Sequence, residues 1–397
     1  MCKVAGQTSR RERAAAFRQR NGGTARGATP GRLLALVALP AALLLAAACG
    51  DSPAEPRLRA PIEPPPDLAA VTFTATGRPT SPYVLLEIRH NDGFQGFVAV
   101  NGDGRPVWFF RTEGGPVGAT RRANGNFVFL DRARGLLEVA VEGQVVRELP
   151  QEPRPGRFIH HDVVATPQNT ILFIAEDVQL WRGEPLTGEA IWEWHPESGS
   201  VVKRWSSFDH LDPDTDWGAR SRREDWLHAN ALSVGPRGNV LISLHYLDQV
   251  VSIAPGFGKL EWRLGGVNAT IAVDDPFSGQ HTAAEIAAGR VLLFDNGFAR
   301  EAERFSRAVE YELGESTARK VWEWRPERTN WARVISSARR LPNGNTLVGF
   351  GTQSDPTLGT TGPIEVYEVT RDGKVVWHLV LGGQVSSMYR ATPLFDL

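Results

Sequence analysis

Three of the histidine clusters in this chain sit in matching surroundings: His160-His161-Asp162, Trp226-Leu227-His228-Ala229-Asn230 and Gly279-Gln280-His281-Thr282. Each lies within about ten residues of a Gly/Asn turn that opens an apolar strand. If the segments are repeats of one unit, the histidines fall on equivalent positions and converge on a common ligand. An unperturbed imidazole has a pKa near 6.5 and is a neutral nucleophile or base at about pH 7. A cluster without metal suits transfer of an anionic group: one ring attacks, a second moves protons, and nearby cations stabilise the transferring oxygens. Converging imidazoles also suit zinc or copper, which leaves a metal-dependent hydrolase or lyase open. Only Asp162 offers an adjacent carboxylate, so no metal is expected. His90, His195, His210 and His378 lie in loops or on tryptophan strands and read as structural or solvated.

The elements that would position these rings are visible as two recurring phrases. The first is a turn leading into an apolar strand, as in Asn124-Gly-Asn-Phe-Val-Phe-Leu130, Arg237-Gly-Asn-Val-Leu-Ile-Ser243 and Asn343-Gly-Asn-Thr-Leu-Val-Gly349. The second is a strand bearing tryptophan, as in Gly104-Arg-Pro-Val-Trp108, Lys320-Val-Trp-Glu-Trp324 and Lys374-Val-Val-Trp377. Asn-Gly turns suit two-residue hairpins, and a tryptophan on an inner strand would wedge neighbouring sheets apart. Repetition every 40 to 70 residues predicts an all-β chain folded as a six-bladed β-propeller. The blades fall near 80–112, 117–150, 160–205, 228–265, 281–325 and 336–381, with insertions at 206–227 and 296–306 on one face.

The first 48 residues carry arginines and then the apolar run 33–48, which predicts a signal peptide of lipoprotein type. The run ends Leu45-Ala-Ala-Ala-Cys49, similar to a lipobox, so Cys49 is expected to be acylated and to form the only membrane attachment of an exported protein. Residues 49–66 are Pro-rich and read as a tether, with the propeller domain over 67–397. The other cysteine, Cys2, falls in the discarded segment, which excludes a disulfide, a zinc-cysteine site and a thiol nucleophile from the mature chain. A net charge of -1 offers no basic field for nucleic acid.

Taken in order, His160-His-Asp-Val-Val, Asp225-Trp-Leu-His-Ala-Asn230, Glu261-Trp-Arg-Leu-Gly-Gly266, Gly279-Gln-His-Thr282, Phe294-Asp-Asn-Gly297, Leu341-Pro-Asn-Gly-Asn345 and Tyr389-Arg390 resemble the PAPS-independent arylsulfate sulfotransferases, or arylsulfotransferases. The resemblance implies a six-bladed propeller that moves a sulfuryl group from a phenolic sulfate ester to a phenolic acceptor, with no cofactor. It implies that His281 is transiently sulfated, that His228 and neighbouring Asn230 serve proton transfer and sulfate binding, and that His161 or His160 completes the set. Tyr389 falls among the substrate contacts. One position departs: after the Leu-Ile-Ser strand this chain has His245 where the family has an arginine. Histidine cannot copy the paired donors of a guanidinium. His245, Arg339 or Arg340 is expected to stand in. The competing expectation, from a different class, is a non-catalytic lipoprotein propeller acting as an envelope scaffold, since fold alone does not specify chemistry.

Overall fold

The computed structural model describes residues 59–90, 92–352 and 363–397. The expected signal peptide, Cys49 and the tether up to residue 58 lie outside the described residues. The described chain is nearly all β, in six sheets of four or five strands that are antiparallel except for the short outermost strand Ala272–Val273, which pairs in parallel. The six innermost strands neighbour one another in sequence around a ring, which makes the fold a six-bladed β-propeller. Blades 2 to 5 span 116–150, 159–206, 229–264 and 281–324, close to the expected ranges.

Ring closure is the feature that the repeats did not reveal. The segment 83–111 supplies only three strands of blade 1, and the C-terminal strand Ser387–Leu394 becomes its innermost strand, pairing Leu86 with Ala391. The strand Val71–Gly77 adds a fifth, outermost strand to blade 6, with Val71 opposite Gly383 and Gly77 opposite Trp377. The C-terminal strand thus closes the circle, while the first described strand extends blade 6 outward. Residues ahead of the first strand are also fastened: the Ile62 amide donates to the Pro106 carbonyl at 3.0 Å.

The tryptophans are not on inner strands, which corrects the expectation. Trp108, Trp262, Trp324 and Trp377 lie on the outermost of the four core strands of their blades, and Trp194 on a third strand. Their role as wedges holds, because an indole has a large apolar body and one N–H that must find an acceptor when buried. The Trp108 N–H reaches the Val141 carbonyl at 2.7 Å, Trp324 reaches Gly373 at 3.1 Å and Trp377 reaches Gly102 at 2.8 Å. Each contact staples one blade to a turn of the next.

Blade 3 contains an outsized hairpin, Ile171–Trp181 and Glu184–His195. Its inner neighbour, Ile159–Ala165, pairs only as far as Ala175, so residues 176 to 187 rise beyond the sheet as an arm. At about 3.3 Å per residue the arm stands on the order of 20 Å above the ring. It emerges at the end of the sheet where His160 pairs with Ile174. The 206–227 connection folds against it through Thr187 N to Arg223 O and Trp226 N to Thr187 O, at 2.8 and 3.0 Å.

Candidate active site

The histidines meet because each inner strand begins with a distortion at the same mouth of the channel. His161 and His228 both adopt left-handed backbone, with φ of 59° and 51°. In blade 5 the left-handed residue is Thr282, at 51°, so His281 stands one position earlier than a strict equivalence requires. Bulges accompany all three positions. Left-handed non-glycine backbone costs on the order of 1–3 kcal/mol and occurs where a side chain must be re-aimed. Here it turns the rings toward the axis.

The four rings form a chain of contacts. Centroids lie 4.7 Å apart for His161 and His228, 5.4 Å for His228 and His245, and 5.4 Å for His245 and His281. His245, which stands where the resemblance calls for arginine, is thus inside the cluster, on a one-turn 3-10 helix after Val240–Leu244. His160 joins from the side, with its Nδ1 2.7 Å from Nδ1 of His161.

Partners fix the tautomers. Nδ1 of His281 lies 2.8 Å from the Asn296 side-chain oxygen and 3.2 Å from the Gly279 carbonyl. Both are acceptors, so the ring carries its proton on Nδ1 and leaves the lone pair on Nε2. Asn296 cannot turn its amide around, because its Nδ2 donates to the Ala332 and Ile335 carbonyls at 2.6 and 2.9 Å. Burial outweighs the Asn296 bond and lowers the His281 pKa to about 3, which keeps the ring neutral. Burial, then repulsion among the rings, also holds His161 and His245 well below the usual imidazole range. His228 differs in pairing with a carboxylate: its Nδ1 lies 2.6 Å from Asp225. Burial of Asp225 opposes its ionisation, but the His228 bond and charge prevail and lower its pKa.

A cavity of about 950 Å³ opens above the cluster, lined by His160, His161, His228, Tyr389, Arg89 and the walls of the arm. His245 and His281 do not line it and are each 4% exposed; they continue the chain of rings behind His228. Tyr389 is held between Arg89 and Arg390 and faces His161 at 6.4 Å.

The remaining expected residues are placed as follows. Asn230 is fully buried and donates to the Gln280 carbonyl at 2.8 Å, bracing blade 4 against the residue before His281. Arg340 points outward, bonded to Glu310 at 2.6 Å and stacked on Trp322, which removes it as a stand-in cation. Arg339 has no ion pair among the described residues. Burial and the nearby Arg390 charge lower its pKa to about 10, against the charges of Asp162 and Glu87, and among the described residues no hydrogen bond or ion pair joins it to a histidine. Arg390 clasps Asp162 at 2.7 and 3.1 Å, and its charge reaches His281. Asn296, Asp225, Glu189 and Arg390 were not assigned from the sequence. Asp225, Asn296 and Arg390 lay inside matching motifs, but which atoms they hold depends on the packing of separate blades. Among the described residues no group of three or more His, Cys, Asp and Glu side chains is arranged to hold a metal ion.

The family model described as Arylsulfotransferase (ASST) matches residues 75–390. A curated relative, arylsulfate sulfotransferase AssT of Escherichia coli O6:H1, is 31% identical over 129 residues. That stretch is 28% of this chain and 21% of the relative's length. Among solved structures, a protein of unknown function from Bacteroides caccae superposes with a TM-score of 0.54 at 17% identity, covering 80% of this chain and all of that one. Virginiamycin B lyase of Staphylococcus aureus gives a TM-score of 0.40 at 9% identity, covering 78% of this chain and 99% of the lyase.

Proposed function

This chain belongs to the arylsulfotransferase family, and from that premise we propose that it transfers a sulfuryl group between phenols through a sulfated His281, without a nucleotide cofactor. The observation that carries the reading is the His281 ring, buried, neutral and fixed with its lone pair on Nε2 by Asn296. In the first half-reaction Nε2 attacks the sulfur of an aryl sulfate ester. An N–S bond forms, the S–O bond to the ring carbon's oxygen breaks, and the phenolate leaves with a proton from Nε2 of His228. Asp225 holds the opposite edge of that ring. In the second half an acceptor phenol gives its proton to His228 and attacks the sulfur, breaking the N–S bond. His161 and His228 line the cavity and His281 lies behind them in the chain of rings, so in this reading a sulfuryl group passes those two rings to reach His281. Small phenolic sulfates and phenols are the proposed substrates, and export with an acyl anchor at Cys49 is the proposed setting.

The test is release of nitrophenol from 4-nitrophenyl sulfate by residues 59–397, with and without added phenol. Release should depend on phenol and should vanish in His281→Asn while the far-UV spectrum is unchanged. Full activity in His281→Asn would sink the assignment of the nucleophile.

A further inference from the structure

His245 stands where the resemblance calls for arginine, and a further histidine of the cavity wall, His160, is set against a carboxylate. His160 lies between Glu189 and His161. Its Nε2 is 2.9 Å from a Glu189 carboxylate oxygen, an ion-pair contact rather than a directed hydrogen bond, and its Nδ1 is 2.7 Å from His161 Nδ1. The other Glu189 oxygen accepts the Ala229 amide at 2.8 Å, so the carboxylate is fixed to the backbone beside His228. Side chains of His160 and Glu189 are only 13% and 4% exposed, which leaves this charge pair little screened.

We propose, on the premise that the site transfers sulfuryl groups, that Glu189 and His160 are positioning residues that set the tautomer of His161 and thereby supply the donor that the missing arginine would have offered. A cationic His160 has N–H on both nitrogens, and its Nδ1–H donates to Nδ1 of His161. His161 is neutral and has a single N–H, which must then sit on Nε2. That nitrogen has no protein partner among the described residues, on a ring that lines the cavity. It can donate to a sulfuryl oxygen as negative charge develops there. When His160 loses its proton, its Nε2 stays protonated beside Glu189 and its Nδ1 becomes an acceptor. The His161 proton then lies on Nδ1, and Nε2 presents a lone pair that repels the sulfuryl oxygens.

The carboxylates facing His160 bias it toward the charged form, against the His161 ring and the arginines Arg154, Arg222 and Arg223 of the same cavity. From the arm come Glu189 and Glu176, the latter paired with Arg154. From the 206–227 connection comes Asp225, which also binds His228. Asp162, next along the strand, is taken up by Arg390. Burial opposes charge on His160, but Glu189 outweighs it and the pKa is raised above 6.5. The donor form is therefore present below the raised value and is lost as pH rises through it.

The experiment is a pH profile of kcat/KM for 4-nitrophenyl sulfate in wild type and Glu189→Gln, with nitrogen NMR of the histidine side chains. Glu189→Gln retains an acceptor for the Ala229 amide but removes the charge. It should lower kcat/KM about tenfold near neutral pH and move the alkaline fall toward acid by about one pH unit. In wild type near pH 6 the NMR should show His161 protonated on Nε2. An unmoved alkaline fall in folded Glu189→Gln, or His161 protonated on Nδ1 at that pH, overturns the relay. Wild type that shows the Nε2 tautomer but no transfer at any pH overturns the sulfuryl reading instead.

Discussion

The reactivity of His281 rests on two acceptors at Nδ1, of which the Asn296 amide is the nearer. A buried imidazole without a fixed partner divides its proton between two nitrogens, and only one of those forms is a nucleophile at Nε2. Asn296 removes the ambiguity, since its own amide hydrogens are committed to two carbonyls of the segment before blade 6. We expect Asn296→Ala to lower kcat by about 100-fold with little change in KM, as expected when a general acid-base or nucleophilic ring is misoriented. The same variant should lose about 1–3 kcal/mol of stability, read as a lower melting temperature, because the Ala332 and Ile335 carbonyls lose a buried donor. Since His281 remains neutral down to about pH 3, an acid limb seen between pH 4 and 6 belongs to another group.

The arm and the connection that leans on it decide how the site is enclosed. Trp181 at the arm's tip stacks on Trp217 of the connection at 5.9 Å, and Arg182 and Arg223 lie over the Trp181 ring. Further down, Glu184, Pro185, Thr187, Arg222 and Arg223 form cavity wall. An aromatic pair of this kind contributes roughly 0.5–1.5 kcal/mol beyond its buried area. Trp217→Ala should therefore leave the ring's melting temperature nearly unchanged while loosening the wall. The expected outcome is faster tryptic cleavage near Arg220 to Arg223 and a KM raised several-fold at unchanged kcat, measured by limited proteolysis and steady-state kinetics.

At the scale of the whole molecule, the ring is closed by its C-terminus, and the closing strand also carries part of the site. Ser387–Leu394 brings Tyr389 beside His161 and sends Arg390 across the axis to Asp162 of blade 3. Asp162 also accepts the Leu232 amide of blade 4 at 2.8 Å, and Glu87 of blade 1 accepts the Gly118 amide of blade 2 at 2.8 Å. Blades 1 to 4 are thus tied along the axis by buried carboxyl groups, of which Glu87 has its pKa pushed up to about 7 by burial. Removing one partner of a buried ion pair costs about 3–5 kcal/mol, and loss of the strand also exposes the edge of blade 1. A chain ending at residue 386 should fail to fold cooperatively, seen as loss of a sharp thermal transition by circular dichroism. A sharp transition retained at the wild-type temperature would contradict this account of closure.

The sequence by itself determined the repeat and the residues that could react. Turn chemistry and apolar strands have local causes, so the ranges of blades 2 to 5 and the surroundings of His161, His228 and His281 were legible from spacing alone. The role of the tryptophans as wedges was legible too, but not their strand, because a local phrase says nothing about its distance from the axis. Closure was hidden for a related reason: Ser387–Leu394 pairs with Leu86 and its neighbours some 300 residues away, and no local pattern encodes that register. The tertiary structure alone decided which atoms meet. It faced Arg340 outward, set Asn230 between blades, put His245 within the cluster, and brought Asn296 and Glu189 to the edges of rings from other segments. Tautomer, charge and burial follow from those long-range contacts, and so the chemistry of the histidines was decided by the ring that gathers them.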